Sequence, residues 1–274
     1  MKLHVESRRG NRSQRFFLTL PALMLCFGGA LLWPTFLTGV PAGIGATPKI
    51  PAGTTLPISL EHELSSKGLT KGERIGGRLM QDVPLPGGEK IPSGTRLQGS
   101  ILHVVPAENG GASVTFRLDS LESKSGVIPI TVGLRAMASF RAAQSAQAPY
   151  DQSPSSGEPS GWATTLQIGG DRRYGSGGKV TNRHGRKVGK ATTDGGVLAR
   201  LEDSPGSPCA GWPDATTPQA LWVFSADACG LYDLKGVRVV HPGNKEPLGE
   251  ITLGREEGEI QIMKSSAMLL RVVK

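Results

Sequence analysis

Aromatic residues are scarce in this chain of 274 residues, at 5% of the total, and it holds only three cysteines. So few aromatics leave little material for the stacking platforms that bind single-stranded nucleic acid. Glycine (38) and proline (20) are abundant instead and together make up about a fifth of the chain. Such a composition favours short strands and many turns over long helices. We therefore predict an all-β, mainly antiparallel fold, a barrel or a sandwich.

Catalytic and cofactor-binding motifs are also missing. The sequence lacks a G-x-S-x-G elbow, a Walker A loop, a G-x-G-x-x-G turn and an H-E-x-x-H pair. Glu61, His62 and Glu63 are adjacent, but on a strand the two glutamates would face away from the histidine. We therefore expect no enzyme activity, no cofactor and no metal site. An exported hydrolase built from Asp171, Asp227 and His241, or a glycan-binding module using Trp162, Trp212 and Trp222, remains an alternative.

The N-terminus carries a membrane-targeting pattern. Residues 1–15 are polar and basic, residues 16–33 contain no charge, and a stretch rich in Pro, Gly and Ala follows up to residue 46. This order is typical of a secretory signal peptide, with cleavage after Ala42 or Ala46. The apolar run is also long enough to serve as an uncleaved helical anchor. Residues 1–46 are thus a signal peptide or a membrane anchor, which predicts a periplasmic or other extracytoplasmic location.

The net charge of +8 is concentrated in part at this N-terminus. Residues 1–46 contain five basic residues and one acidic residue, so the remainder has a net charge of only +4. A nucleic-acid-binding protein usually shows a larger surplus, and we expect no nucleic-acid partner. In an oxidising compartment, Cys209 and Cys229 are expected to form a disulfide, worth roughly 3 kcal/mol for a loop of this length. The alternative is two unrelated buried thiols.

Residues 47–141 are predicted to form a β-barrel or sandwich domain built on a duplicated unit. Ile50-Pro-Ala-Gly-Thr is echoed by Ile91-Pro-Ser-Gly-Thr, and an alternating strand follows each copy. In each copy we place the proline at the first central position of a turn, and we expect the glycine to adopt a positive φ.

The remaining chain divides by composition. Residues 142–160 are rich in Ala, Gln, Ser and Pro and indicate a linker. Within residues 161–274, a Gly-rich basic segment up to residue 200 is expected to be ordered but irregular, or partly disordered, and an antiparallel β module follows. That module begins with a buried strand at residues 220–225, and it either stands alone or completes the first domain.

A basic tract is the most unusual local feature. It contains no acidic residue and seven cations, at Arg172, Arg173, Lys179, Arg183, Arg186, Lys187 and Lys190. One interpretation is a flexible cationic loop that contacts an anionic envelope polymer or lipid headgroups. The other is a solvated loop whose charge only aids solubility.

Four segments of residues 50–140 form a recognisable series: Ile50-Pro-Ala-Gly-Thr, Ile91-Pro-Ser-Gly-Thr-Arg-Leu-Gln-Gly, Phe116-Arg-Leu-Asp-Ser-Leu and Gly126-Val-Ile-Pro-Ile. This series resembles the TrbI-type conjugation protein family. It implies a β-barrel domain of the kind found in the core complex of type IV secretion systems. The function expected from all these features is a non-catalytic scaffold or binding component of a cell-envelope assembly, with envelope proteins or an anionic polymer as partners. Residues 16–33 would contact the membrane if they are not cleaved.

Overall fold

The computed structural model describes residues 49–108, 110–123, 126–148, 164–202, 209–212 and 217–274. The predicted N-terminal signal or anchor helix and Trp162 lie outside these residues. The chain from Ala46 to Lys274 forms one compact unit. The prediction of an all-β, mainly antiparallel fold is confirmed.

Ten strands form the main sheet, which closes almost into a barrel. They are β1 (Thr55–Leu60), β3 (Arg74–Leu79), β6 (Arg96–Val105), β7 (Ala112–Ser123), β8 (Gly126–Pro129), β9 (Val132–Ala138), β16 (Gly230–Tyr232), β17 (Val237–His241), β18 (Ile251–Arg255) and β20 (Ala267–Val272). Their order is β16-β9-β20-β1-β3-β6-β7-β18-β17, with β8 paired to β7. The C-terminal strands thus complete the sheet that the N-terminal strands begin.

The barrel interior follows from simple alternation along the strands. Leu56, Ile58 and Leu60 of β1 point inward, and Met268 and Leu270 of β20 meet them there. Because side chains alternate between the faces of a strand, each strand contributes every second residue to this first core. Gly99 lies at a bulge of β6, where a Cβ atom would stand 1.8 Å from the carbonyl oxygen of Arg117, so only glycine fits.

The two copies of the turn are identical in their hydrogen bonds. Thr54 donates both its N–H and its hydroxyl to the Pro51 carbonyl, and Thr95 does the same to Pro92. Gly53 and Gly94 have φ values of 87° and 81°. The proline therefore supplies the acceptor that opens the turn, and our placement of it at the first central position was wrong. The positive φ of the glycine is confirmed.

A second sheet of six strands arises from the basic, Gly-rich segment. Its order is β10 (Thr164–Leu166), β11 (Arg172–Tyr174), β12 (Lys179–Thr181), β13 (Lys187–Ala191), β14 (Val197–Ala199) and β15 (Gln219–Ala220), all antiparallel. The prediction of an irregular segment was wrong. The glycines lie mostly in the turns, and small apolar residues such as Val180, Val197 and Ala199 are buried on one face of the sheet.

This second sheet covers the outer face of β9 and β20. Every residue of these two strands is buried, because their inward side chains join the barrel core and Ala136, Ala138, Ala267 and Leu269 join a second core outside the barrel. Helix α1 (Phe140–Gln147) adds Ala143 and Ala146 to that second core, with Ser139 as its N-cap. The first residues of the predicted linker are therefore helical.

Residues 220–225 differ from the predicted buried strand. Only Gln219–Ala220 is a strand, after which the chain turns, with the Phe224 N–H donating to the Leu221 carbonyl and Trp222 at a φ of 49°. All of these side chains are buried, because the turn is packed into the second core. The apolar run at residues 220–225 therefore predicted the burial of these side chains correctly, but its prediction of a strand was wrong. Two two-stranded sheets complete the description: β2 (Leu64–Ser65) pairs with β19 (Gln261–Ile262), and β4 (Val83–Pro84) pairs with β5 (Lys90–Ile91).

Candidate functional site

The basic tract lies on strands β11, β12 and β13 of the second sheet and in the turns between them, rather than in a flexible loop. Residues that pair directly across antiparallel strands share a face. Arg173 pairs with Val180, which is fully buried, so these two face the second core. Lys179 pairs with Lys190 on the opposite, outer face of the sheet. The sheet therefore sorts the tract into an inner and an outer set.

Within the described residues, three of the seven cations have hydrogen-bond or salt-bridge partners in the protein. The Arg173 Nε donates to Thr165 Oγ1 at 2.8 Å, and its guanidinium also contacts the Gly195 carbonyl. Arg183 forms a salt bridge of 2.8 Å with Asp227, and Arg186 one of 3.2 Å with Glu202. Arg173 is half-buried, and burial lowers the pKa of its guanidinium. These three arginines are therefore engaged within the protein.

The other four cations form what we call the basic face: Arg172, Lys179, Lys187 and Lys190. Each is exposed, and none has a carboxylate within salt-bridge distance among the described residues. Lys179 Nζ lies 5.1 Å from the centre of the Tyr174 ring, a cation–π contact that holds it over the sheet. The sequence predicted the members of this face, but not which of the seven would remain available.

A groove of about 670 Å³ adjoins the basic face, between β13–β14 and the β4–β5 hairpin. Its cations are Lys187, Lys190 and Arg200. The sequence did not indicate Arg200 or the apolar lining as parts of a site. The contact between the hairpin and the second sheet joins segments that are about 100 residues apart. No local pattern could have indicated it.

Two of the three residues of the alternative hydrolase site lie close together. Asp171 is 2% exposed, and its Oδ2 accepts a hydrogen bond of 2.8 Å from the Ala226 N–H. Burial raises the pKa of Asp171 to about 6; the hydrogen bond from Ala226 opposes this shift, while nearby Asp227 and Glu202 add to it. The same stretch of chain is held a second time, since the Asp171 N–H donates to Ser225 Oγ. Asp171 thus fastens the turn at residues 225–228.

His241 is occupied elsewhere. Its Nδ1 lies 2.7 Å from the Glu250 carbonyl and its Nε2 lies 3.2 Å from the Glu246 carbonyl. Both ring nitrogens are therefore used within the loop that joins β17 to β18. The structure does not bring His241 into hydrogen-bond contact with either aspartate.

The tryptophan and Glu-His-Glu candidates also have structural roles. Trp212 and Trp222 are only 6% and 5% exposed, so neither offers a ring face to a sugar. Glu61 forms salt bridges with Arg78 (2.8 Å) and Arg96 (3.3 Å). Within the described ranges, no group of three His, Cys, Asp or Glu side chains is placed to hold a metal ion.

The two cysteines meet as predicted. Cys209 and Cys229 lie at disulfide distance, with their Cα atoms 5.9 Å apart, and Cys209 is buried. Cys209 Sγ lies 3.4 Å from the Arg135 carbonyl oxygen, and the Arg135 side chain donates to the carbonyl oxygens of Ala226, Ala228 and Glu202. The disulfide therefore connects the loop before β15 to the turn that Asp171 and Arg135 also hold.

The part of the chain described by the structure contains no helix that is both long and apolar enough to cross a lipid bilayer. No family model matches the chain, and no curated protein sequence is significantly similar to it.

Proposed function

We propose that this chain is a non-catalytic, extracytoplasmic binding protein that attaches to an anionic polymer of the cell envelope through its basic face. The proposal depends most on the pairing of Lys179 with Lys190. Two like charges directly opposite each other on neighbouring strands destabilise a sheet. Neither lysine has a carboxylate partner in the described structure, so an external anion would relieve the repulsion.

The geometry of the face suits a polymer. The cations are held by three adjacent strands, so they keep a fixed spacing that a flexible loop would not provide. Repeated charges on an extended anion could contact several of them at once, whereas a single small anion could contact only a few. The ordered sheet reduces the entropy cost of binding, because the backbone is already positioned.

Two sequence features support the proposed location. The N-terminal pattern of residues 1–46 is typical of export, and a disulfide is expected to persist in an oxidising compartment. The resemblance to TrbI-type proteins supports an envelope assembly as the setting. Under this proposal, the barrel serves as the scaffold and the second sheet as the binding layer.

The test uses the chain from Ala46 onward, which contains both cores and all the described strands. Binding to sodium polyphosphate is measured by calorimetry at several NaCl concentrations. We expect saturable binding that weakens as salt rises, because exposed charges are screened. Changing Arg172, Lys179, Lys187 and Lys190 to glutamine should weaken binding at least tenfold.

A matched control removes the same net charge elsewhere. Lys67, Lys71, Lys235 and Lys245 are exposed and lie outside the basic face. Their change to glutamine should alter binding less than twofold. If the two variants, each with four substitutions, weaken binding equally, net charge alone explains the affinity and the proposal is rejected. If the protein binds phosphatidylglycerol vesicles as tightly as polyphosphate or more tightly, the ligand of the basic face is a lipid surface and not a polymer.

A further inference from the structure

The groove beside the basic face has two walls from different layers of the molecule. One wall is the outer face of β13 and β14, and the other is the Pro84–Pro86 segment after β4. The walls are joined at several points. The Gln81 side chain hydrogen-bonds to the N–H and the carbonyl of Val197, and the Asp82 N–H donates to Asp194 Oδ2 at 3.2 Å. The groove is therefore formed before any ligand arrives.

The groove floor is apolar. It is lined by Pro84, Leu85, Pro86, Val188, Leu198 and Pro218. Prolines have restricted backbones and no N–H donor, so they present rigid apolar surface with little need for solvation. A volume of about 670 Å³ lies in the range of small-molecule sites. Aromatic side chains are absent from the described lining, which leaves no platform on which a sugar ring could stack.

The groove carries charge of one sign. Lys187, Lys190 and Arg200 line it, and the described lining contains no Asp or Glu. The Arg200 N–H donates to the Val188 carbonyl across the two strands, which fixes the arginine backbone beside the floor. An apolar floor with only positive charges along it complements a molecule with an apolar chain and a negative head.

We propose that this groove binds one anionic amphiphile, a single aliphatic chain with a phosphate or carboxylate head. The head would contact Lys187, Lys190 and Arg200, and the chain would lie against Leu85, Leu198 and the prolines. This site is separate from polymer binding, because it requires the apolar floor. It shares two lysines with the basic face but does not depend on the proposed function.

The test measures binding of dodecyl phosphate to the chain from Ala46 onward by calorimetry, below the micelle-forming concentration of the ligand. We expect one molecule per chain, bound at least 100-fold more tightly than inorganic phosphate. In a series of hexyl, octyl and decyl phosphates, each added methylene should tighten binding by up to about fourfold, which is the gain for full burial of one methylene. Dodecyl maltoside and dodecyltrimethylammonium, which lack the anionic head, should bind at least tenfold more weakly.

Variants test separately how the apolar floor and the cations of the groove contribute to binding. Leu198→Trp fills the groove and should remove the dependence on chain length while leaving polyphosphate binding unchanged. Leu85→Ser, in the hairpin, is the second variant if Leu198→Trp lowers the thermal midpoint. Lys187→Gln with Lys190→Gln should weaken both ligands, and Arg172→Gln with Lys179→Gln should weaken polyphosphate alone.

The results distinguish this proposal from the previous one. If the wild type binds dodecyl phosphate but not polyphosphate, the proposal of polymer binding is rejected and the proposal of amphiphile binding in the groove stands. Dodecyl and hexyl phosphate binding equally would reject the groove, as would affinity unchanged by both Leu198→Trp and Leu85→Ser. Binding only to anionic vesicles, without capture of the monomeric amphiphile, would also overturn it.

Discussion

Asp171 is a buried carboxyl group whose ionisation affects the stability of the fold. It faces Ser225 and the Ala226 N–H from the turn at residues 225–228, Asp227 from the same turn, Glu202 from the chain after β14, and Arg183 from the turn after β12. Burial and the two neighbouring carboxylates favour the neutral form, while Arg183 and the Ala226 hydrogen bond favour the charged form. The result is a pKa of about 6, above the ordinary 3.8.

We expect Asp171→Asn to remove a pH dependence of stability. With its pKa raised in the folded state, Asp171 binds more protons in the folded than in the unfolded protein between about pH 4 and 6. It therefore stabilises the fold at low pH, and this contribution is lost as the pH rises through 6. The unfolding free energy of Asp171→Asn, relative to wild type, should rise by roughly 2 to 3 kcal/mol from pH 4 to pH 7.5.

Urea denaturation at a series of pH values provides this measurement. Asp119→Asn is a suitable control, because Asp119 is half-exposed and its ion pair, among the described residues, is with Arg117. Its difference from wild type should stay nearly constant over the same pH range. A constant difference for Asp171→Asn as well would contradict the raised pKa.

The side chain of Gln81 connects the chain that follows β3 of the barrel to β14 of the second sheet by hydrogen bonds. It is fully buried, its Oε1 accepts from the N–H groups of Val197 and Trp222 (3.0 and 2.8 Å), and its Nε2 donates to the Val197 carbonyl (2.8 Å). Gln81→Met keeps the approximate size but removes the acceptor of the buried Val197 and Trp222 N–H groups, while the Val197 carbonyl keeps its bond from the Leu221 N–H. We expect the unfolding free energy to fall by about 2 to 4 kcal/mol.

The matched control for Gln81 is Gln261→Met. Gln261 is exposed, and within the described part of the chain its side chain donates a hydrogen bond to Glu63. Its loss should change the unfolding free energy by less than about 0.5 kcal/mol, because water replaces the bond. Similar losses for the two variants, measured by urea denaturation, would argue against a special role for Gln81.

At the scale of elements, the disulfide fastens the segment that leads into β15. Changing Cys209 and Cys229 together to serine opens a loop of 20 residues, and the unfolding free energy should fall by roughly 3 kcal/mol. Thermal unfolding with and without dithiothreitol tests this. The reductant should lower the midpoint of the wild type and leave that of the double variant unchanged. An unaffected wild type would show that the bond is absent.

At the scale of the whole molecule, the predicted domain at residues 47–141 lacks strands that the barrel needs. β20 lies between β1 and β9, and β18 lies beside β7. Without them, Leu56 and Phe116 lose packing partners, and β1, β7 and β9 gain open edges. We expect residues 46–148 expressed alone to show no cooperative thermal transition.

The comparison is the chain from Ala46 to Lys274, which should unfold in one sharp transition followed by circular dichroism. Adding a separately produced fragment of residues 164–274 to the short fragment should restore β structure in part, because the missing strands are then supplied. A cooperative transition in residues 46–148 alone would show that the C-terminal strands are dispensable for the barrel.

The sequence by itself determined features that depend on neighbours along the chain. Pro, Gly and Thr at fixed spacing form the same turn in both copies, since φ limits and short hydrogen bonds act within four residues. Apolar and polar residues alternate strictly at positions 113–118, and these residues lie in β7, where the apolar ones are buried. The cysteine pair and the members of the basic tract were also evident. The N-terminal pattern still stands as a prediction.

Only the tertiary structure decided what depends on distant contacts. Whether residues 220–225 form a strand or a turn depends on the second core into which they pack, and an apolar run is the same in either case. The division of the basic tract into partnered and available cations required Asp227 and Glu202, which are supplied from other parts of the chain. The groove required the hairpin at Pro84 to meet β14. Strand order is a global property, because its energy lies in long-range burial that no local pattern encodes.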